Sequence, residues 1–226
     1  LVMPAVDRDL STERVLAMTY VPGRPLEELS AAPAGVRDDV AKRLLALTLR
    51  EVFDWGLVQT DSHLANYRYD SDGDLIGLLD FGATRAYPPQ RVDALRRLLS
   101  ASVSGDGAAA EEAARDVGYL ACGDPERYRE TILRLIRLAV EPARAGGPFD
   151  FGRSDLAYRM AEEVRRLRLD QNVWRVPPPD ILFLHRKLGG MYLICARLGA
   201  RVDVGRLTEP RLEATSCRAG ADGALD

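Results

Sequence analysis

With 226 residues, 46% of them hydrophobic, the chain can bury one good core and a small annex. Its 31 basic and 34 acidic residues are interspersed and sum to a net charge of −3, so no tract invites nucleic acid. No run reaches the roughly 18 apolar residues a membrane span needs, and no secretory leader is visible. Cys122, Cys195 and Cys217 are odd in number and far apart, which predicts reduced thiols in a cytoplasmic setting. Together with His63 and His185 they form no zinc-type spacing.

Residues 1–14 read as an irregular lead-in, and Val15 to Val21 as a strand running into the turn Pro22-Gly23-Arg24-Pro25-Leu26. Asp38 or Asp39 can then cap a helix reaching about Trp55, with Gly56 as its stop. Val40, Leu44, Leu45, Leu47, Thr48, Val52 and Phe53 fall mostly on one face, the pattern of a core helix. This helix delivers the chain to Gln59.

The stretch from Gln59 to Gly82 carries the chemistry. Asp61 is followed five residues on by Asn66, then by strands at 67–70 and 75–79 joined by Ser71-Asp72-Gly73-Asp74, then by Asp80-Phe81-Gly82. The Asp-Gly pair is a tight-turn signal, and folding the chain back there returns Asp80 to the level of Asn66. Phosphoryl transfer needs in-line positioning and cations on the phosphates. Mg²⁺ takes hard oxygen ligands, of which the protein supplies one or two. Asp61 suits the orientation or deprotonation of a nucleophile, and Asn66 and Asp80 suit a metal ion. A single Asp in a turn is an ordinary surface residue. The whole set matches the catalytic-loop and metal-loop pattern of protein-kinase-like folds, with Gln59-Thr60 where His-Arg is usual.

Beyond Pro88-Pro89 the chain reads as helical. Segments run from about Gln90 to Ser102, to about Leu120 after a Gly105-Asp106-Gly107 turn, and from Asp124-Pro125 to just before Pro142. A second Asp-Phe-Gly, at Asp150 to Gly152, lacks an apolar strand before it and a catalytic loop upstream, so a capping or packing role is expected. A basic helix from about Ser154 to Leu169 carries Arg159, Arg165, Arg166 and Arg168, read as a solvated face rather than a lipid-binding one. After the stiff connector Val176-Pro177-Pro178-Pro179, Asp180 can cap a helix to about Leu198. Inside it lies His185-Arg186-Lys187-Leu188-Gly189-Gly190, where the glycines allow close helix packing. Residues 209–226 are small and polar, and disorder is expected there.

Several of these motifs together resemble one family. They are Val58-Gln59-Thr60-Asp61, Leu78 to Tyr87, the Met-x-Tyr-x-x-Gly-x-Pro-Leu of residues 18–26 and the His185 motif. The chain is similar in them to the UbiB-type (AarF/UbiB) atypical kinases, especially the coenzyme Q kinase branch, from about Val6 to Leu207. That branch carries Pro-Asn-Trp-Ser where this chain has Ser62-His63-Leu64-Ala65. The resemblance implies an α+β, mainly helical fold: a protein-kinase-like C-lobe with a small β-hairpin at the active site and most of the N-lobe absent. Residues 1–26 would end the N-lobe and form the hinge, and 27–208 would be the C-lobe. It implies Asp61 as the catalytic aspartate, Asn66 and Asp80 as metal ligands, and Thr19, Tyr20 and Val21 as the adenine hinge. It also implies ATP or ADP and Mg²⁺ as cofactors, a lipid or quinone precursor as partner, peripheral membrane contact, and support of ubiquinone-like lipid biosynthesis. The chain begins in what reads as mid-domain, so a fragment with little activity of its own is expected. Two alternatives stay open. Asp-x-His-x-x-Asn is also similar to aminoglycoside and choline kinase-like phosphotransferases, and a non-catalytic nucleotide- or lipid-binding module would fit the same lobe.

Overall fold

The computed structural model describes residues 1–169 and 177–219, with side chains described through 167 and over 177–212. The lead-in is a strand where the sequence predicts irregular chain. Val6–Thr12 (β1) pairs antiparallel with Val15–Met18 (β2), with a register irregularity between Asp7 and Thr12. Side chains carry this hairpin without a glycine turn. Asp7 Oδ1 accepts the N–H groups of Asp9 and Leu10, Ser11 bridges Asp7 and Ala17, and Thr12 Oγ1 accepts from Arg14 and Val15.

Arg24–Pro25 (β3) precedes a 3₁₀ turn at Leu26–Ala31 and the long helix Ala34–Arg50 (α1). The helix starts behind Pro33, not at Asp38 or Asp39. Proline fixes the entry geometry, and both aspartates are used elsewhere. Asp38 accepts the N–H of Arg201, and Asp39 pairs with Arg43. Glu51–Trp55 continue as one π turn that stops at Gly56, whose φ of 60° suits glycine. The chain then forms Leu57–Gln59 (β4), Tyr67–Asp70 (β5), Leu75–Leu78 (β6) and Thr84–Ala86 (β7). One sheet has the order β3-β5-β6, and β4 pairs separately with β7.

Helices follow at Pro89–Ser104 (α2), Gly107–Val117 (α3), Glu126–Ala139 (α4) and Glu141–Arg144 (α5). After Phe149–Asp150 (β8) come Leu156–Leu169 (α6) and Pro179–Leu198 (α7). Arg201–Val202 (β9) pairs with β8, and Val204–Ala219 (α8) follows. Two caps differ from expectation. Asp124 turns to the N–H of Ala121, and Asp180 lies inside the first turn of α7, where its carboxylate pairs with Arg91 at 2.9 Å. Prolines occupy both N-cap positions instead. The helix α8 continues past residue 209 to Ala219, where the sequence predicts disorder, and Arg211 fastens it to Asp54 at 2.9 Å. Val176, the Arg168 side chain and residues 220–226 lie outside the described residues.

The second Asp-Phe-Gly packs as expected. Asp150 Oδ1 accepts the N–H of Arg153, Phe151 is buried, and Gly152 meets Gly199 so closely that a Cβ would sit 2.8 Å from its Cα. The α6 arginines pair with acids: Arg159 with Glu141 and Asp155, Arg165 with Glu162, Arg166 with Glu162 and Glu163. That is the behaviour of a solvated face.

Two apolar clusters form the core. One gathers α1, the β5–β6 hairpin and the C-terminal half of α7 around Leu44, Ile76 and Ile194. The other gathers β4 and α2 to α4 with the first turns of α7, around Val58, Val117 and Ile181. The helix α7 therefore belongs to both. Of the described residues, none lies in a helix long and apolar enough to cross a membrane.

Candidate active site

Hydrogen bonds bring the two predicted loops together. Gln59 pairs with Thr84 across β4 and β7, and both the N–H and the hydroxyl of Thr60 donate to the Ala83 carbonyl, at 3.2 and 2.6 Å. On the other side, the register Tyr67↔Leu78 places Leu79 opposite Asn66, and the Leu79 N–H donates to the Asn66 carbonyl at 3.0 Å. Asp80 is the next residue, which is the return to Asn66 that the turn signal predicts.

Gln59 is the brace between the loops. Its side-chain Nε2 donates to the carbonyls of Asp61 at 2.8 Å and Asp80 at 3.1 Å. Asn66 Nδ2 donates to the Asp61 carbonyl at 3.1 Å and to its carboxylate Oδ2 at 3.4 Å. Asp80 Oδ1 accepts the Gly82 N–H at 2.8 Å, and a Cβ at Gly82 would stand 3.2 Å from that oxygen. Asp61, Asn66 and Asp80 thus share one network. In the sequence Gln59 is marked only by standing where a His-Arg pair is usual, and that substitution is the available signal.

Thr19, Tyr20 and Val21 leave β2 and cross the hairpin. Val21 is buried against Gly77, where a Cβ would come within 2.5 Å of Val21 Cγ1. A Cβ on Gly23 would stand 2.7 Å from the backbone of Tyr69. The segment therefore runs beside β6, the strand that leads into Asp80. Tyr20 is exposed, and the Thr19 N–H donates to the Ala5 carbonyl. At this position Thr19 can offer a ligand its carbonyl but not its N–H.

The helix α7 supports the Asp61–Asn66 loop from behind. Ser62 donates to the Lys187 carbonyl at 3.1 Å, and a Cβ at Gly190 would lie 2.6 Å from Ser62 Cβ, so this glycine permits the contact. Gly189 has open space beside it. Arg186 Nη2 lies 2.5 Å from Asp61 Oδ1. Lys187, 1% exposed, pairs at 2.7 Å with Glu51 on the π turn. Burial pushes the Glu51 carboxyl up, an effect the Lys187 charge and the Gln59 N–H oppose. Burial pushes Lys187 down, opposed by Glu51. Tyr67, buried beside them, is held well above the usual phenol value by desolvation. Neither the Arg186–Asp61 pair nor the Lys187–Glu51 pair is in the sequence reading, because each joins residues more than a hundred positions apart.

The donor set fits the groups its pattern suggests. Asn66 turns its nitrogen to Asp61, which leaves Oδ1 for a hard cation. Asp80 engages one carboxylate oxygen with Gly82 and keeps the other. Neutral amide oxygen plus carboxylate is an oxygen set that Mg²⁺ accepts while its other positions hold phosphate and water.

A family model described as the ABC1 atypical kinase-like domain matches residues 1–114. The mitochondrial atypical kinase COQ8B of Rattus norvegicus is 33% identical over 200 residues, covering 88% of this chain and 38% of the rat protein. The mitochondrial atypical kinase coq-8 of Caenorhabditis elegans is 31% identical over 209 residues, or 91% of this chain and 27% of the worm protein. The COQ8 kinase of Saccharomyces cerevisiae, also mitochondrial, is 28% identical, with 91% of this chain and 41% of the yeast protein covered. The chain therefore spans well under half the length of each. A solved complex of Rv3197 with erythromycin, from Mycobacterium tuberculosis, is alike in fold, with a TM-score of 0.65 at 21% identity, covering 91% of this chain and 51% of that one. With the domain model running from residue 1 through 114 and so across Asp61, Asn66 and Asp80, the chain belongs to the ABC1 atypical kinase family.

Proposed function

We propose that the hairpin binds a Mg²⁺-nucleotide, and that the protein carrying it is an ATP-dependent phosphotransferase or ATPase supporting quinone-lipid biosynthesis. The observation that carries the reading is the braced arrangement of Asp61, Asn66 and Asp80 by Gln59. In this reading Asn66 and Asp80 hold the metal ion, which when bound neutralises charge on the phosphates. Asp61 orients the attacking hydroxyl or water and takes up its proton. The segment from Thr19 to Val21 lines the adenine side. Gln59 and Thr60 keep the two loops at a fixed separation, which is the positioning this chemistry depends on.

The test is a set of thermal melts with ADP and ATP, with and without Mg²⁺, on wild type and Asp80→Asn. Ligand at about 100 times its dissociation constant stabilises by roughly 2.7 kcal/mol. At about 2–4 °C per kcal/mol for a chain of this size, the shift is about 5–10 °C. Ligand-induced shifts are compared within each variant, because removing a charge at Asp80 also changes the stability of the unliganded protein. A Mg²⁺-dependent shift that disappears in Asp80→Asn supports the reading. A shift indifferent to Mg²⁺ or to Asp80, or none at any concentration, refutes it. The link to quinone lipids is tested by replacing the resident gene with its Asp80→Asn version and measuring cellular quinone, which should fall.

A further inference from the structure

Arg186 has a place that the fold does not require. The catalytic loop is already fixed by Gln59, Thr60, Asn66 and the Ser62 contact with α7. Its side chain is 57% exposed, and an ion pair that open adds little to stability. Yet Arg186 sets its guanidinium directly on Asp61, through Nη2 at 2.5 Å from Oδ1. The neighbouring cation, Lys187, is committed to Glu51 in the interior. Arg186 is thus the α7 cation that reaches the catalytic carboxylate.

A guanidinium has five N–H donors in a planar fork, and the bond to Asp61 engages one of them. The group attacked during phosphoryl transfer lies beside the catalytic aspartate. A fork bonded to Asp61 is therefore within one side chain's reach of the terminal phosphoryl oxygens. We propose that Arg186 bridges Asp61 and the terminal phosphoryl group of a bound nucleoside triphosphate. Nη2 keeps Asp61 in place while the remaining donors take phosphate oxygens. The inference rests on the Mg²⁺-nucleotide reading above and adds a residue from the far end of the chain to that site.

The test is calorimetric titration of the chain with Mg²⁺-ADP and with Mg²⁺-AMP-PNP, a triphosphate whose β–γ bridge resists cleavage. Wild type, Arg186→Ala, Arg186→Gln and Arg186→Lys are compared. The result expected is a loss of about tenfold or more for the triphosphate in Arg186→Ala and Arg186→Gln, with ADP changed by less than about threefold. Arg186→Lys recovers part of the loss, since it restores the charge without the fork. A structural role alone would not separate the two nucleotides. Equal losses, no loss for either, or a larger loss for ADP overturns the inference while leaving the nucleotide reading standing. Wild type that binds neither ligand removes both. Arg186→Gln keeps the test intact if the alanine variant folds poorly.

Discussion

Lys187 is a residue whose loss the structure makes expensive. Its ammonium is 2.7 Å from Glu51 Oε2, with side-chain exposures of 1% and 8%. Lys187→Met keeps the bulk and removes the charge, which leaves a buried carboxylate with no cation. Breaking a buried pair this way costs about 3–5 kcal/mol, or a fall of about 6–20 °C in melting temperature at this size. The double variant Glu51→Leu, Lys187→Met removes both charges. It forfeits chiefly the acceptor for the Gln59 N–H, about 1 kcal/mol, so it should lie within about 2 kcal/mol of wild type. The pH dependence has a definite sign. Burial already raises Glu51 in the folded state above its ordinary value of 4.5, and losing the Lys187 charge raises it further. Over the window between the unfolded and folded values the folded state holds a proton that the unfolded chain has lost. The stability of Lys187→Met therefore falls as pH rises through that window and is regained in acid. Urea unfolding of the three proteins at about pH 7.5 and 5.5 measures this. The reasoning fails if the single variant loses less than about 1 kcal/mol, if its deficit is the same at both pH values, or if the double variant is no better.

The two glycines of α7 should respond in opposite directions to alanine. Gly190→Ala drives a Cβ to 2.6 Å from Ser62 and should cost about 1–3 kcal/mol by urea unfolding. Gly189→Ala, in open space, should stabilise by about 0.5–1 kcal/mol; equal effects would show that Ser62 does not press on the helix. Gln59→Met removes the donor to the Asp61 and Asp80 carbonyls and should cost about 1–3 kcal/mol. It should also raise the Mg²⁺ concentration at which nucleotide shifts the melt, and an unchanged Mg²⁺ dependence would count against its bracing role.

Much of the local structure is legible in the sequence, for local reasons. The Asp-Gly turn, the apolar strand before Asp80 and the stop at Gly56 are all present as predicted. The core face of α1 is as well, since Val40, Leu44 and Leu47 are buried. The misses have physical causes. The β1–β2 hairpin turns on side-chain bonds from Asp7, Ser11 and Thr12 rather than on glycine, so no turn residue announces it. The N-cap readings at Asp38, Asp124 and Asp180 follow local chemistry, but each carboxylate finds another partner, and proline sets the helix entry instead. In the candidate site, Asp61, Asn66 and Asp80 are found by spacing within one hairpin. Gln59 gains its meaning only when the Asp61 and Asp80 loops lie side by side, and Glu51, Arg186 and Lys187 only when α7 is laid behind them.

That helix shows why the His185-Arg186-Lys187 motif is hard to interpret from sequence. Consecutive helical residues point about 100° apart, so three in a row cannot share one face. His185 stacks on Tyr119 and shares a 2.6 Å hydrogen bond with its hydroxyl, Arg186 reaches Asp61, and Lys187 enters the core at Glu51. A periodicity test sees a helix with three polar residues and has no basis for assigning them different partners. In the fold, a single turn of α7 ties the Asp61 loop, the π turn after α1 and Tyr119, just beyond α3, to one rigid element. Because α7 also belongs to both core clusters, the position of Asp61 is set by the packing of the whole helical body. A substitution far from the hairpin that shifts α7 should therefore alter nucleotide binding before it unfolds the chain.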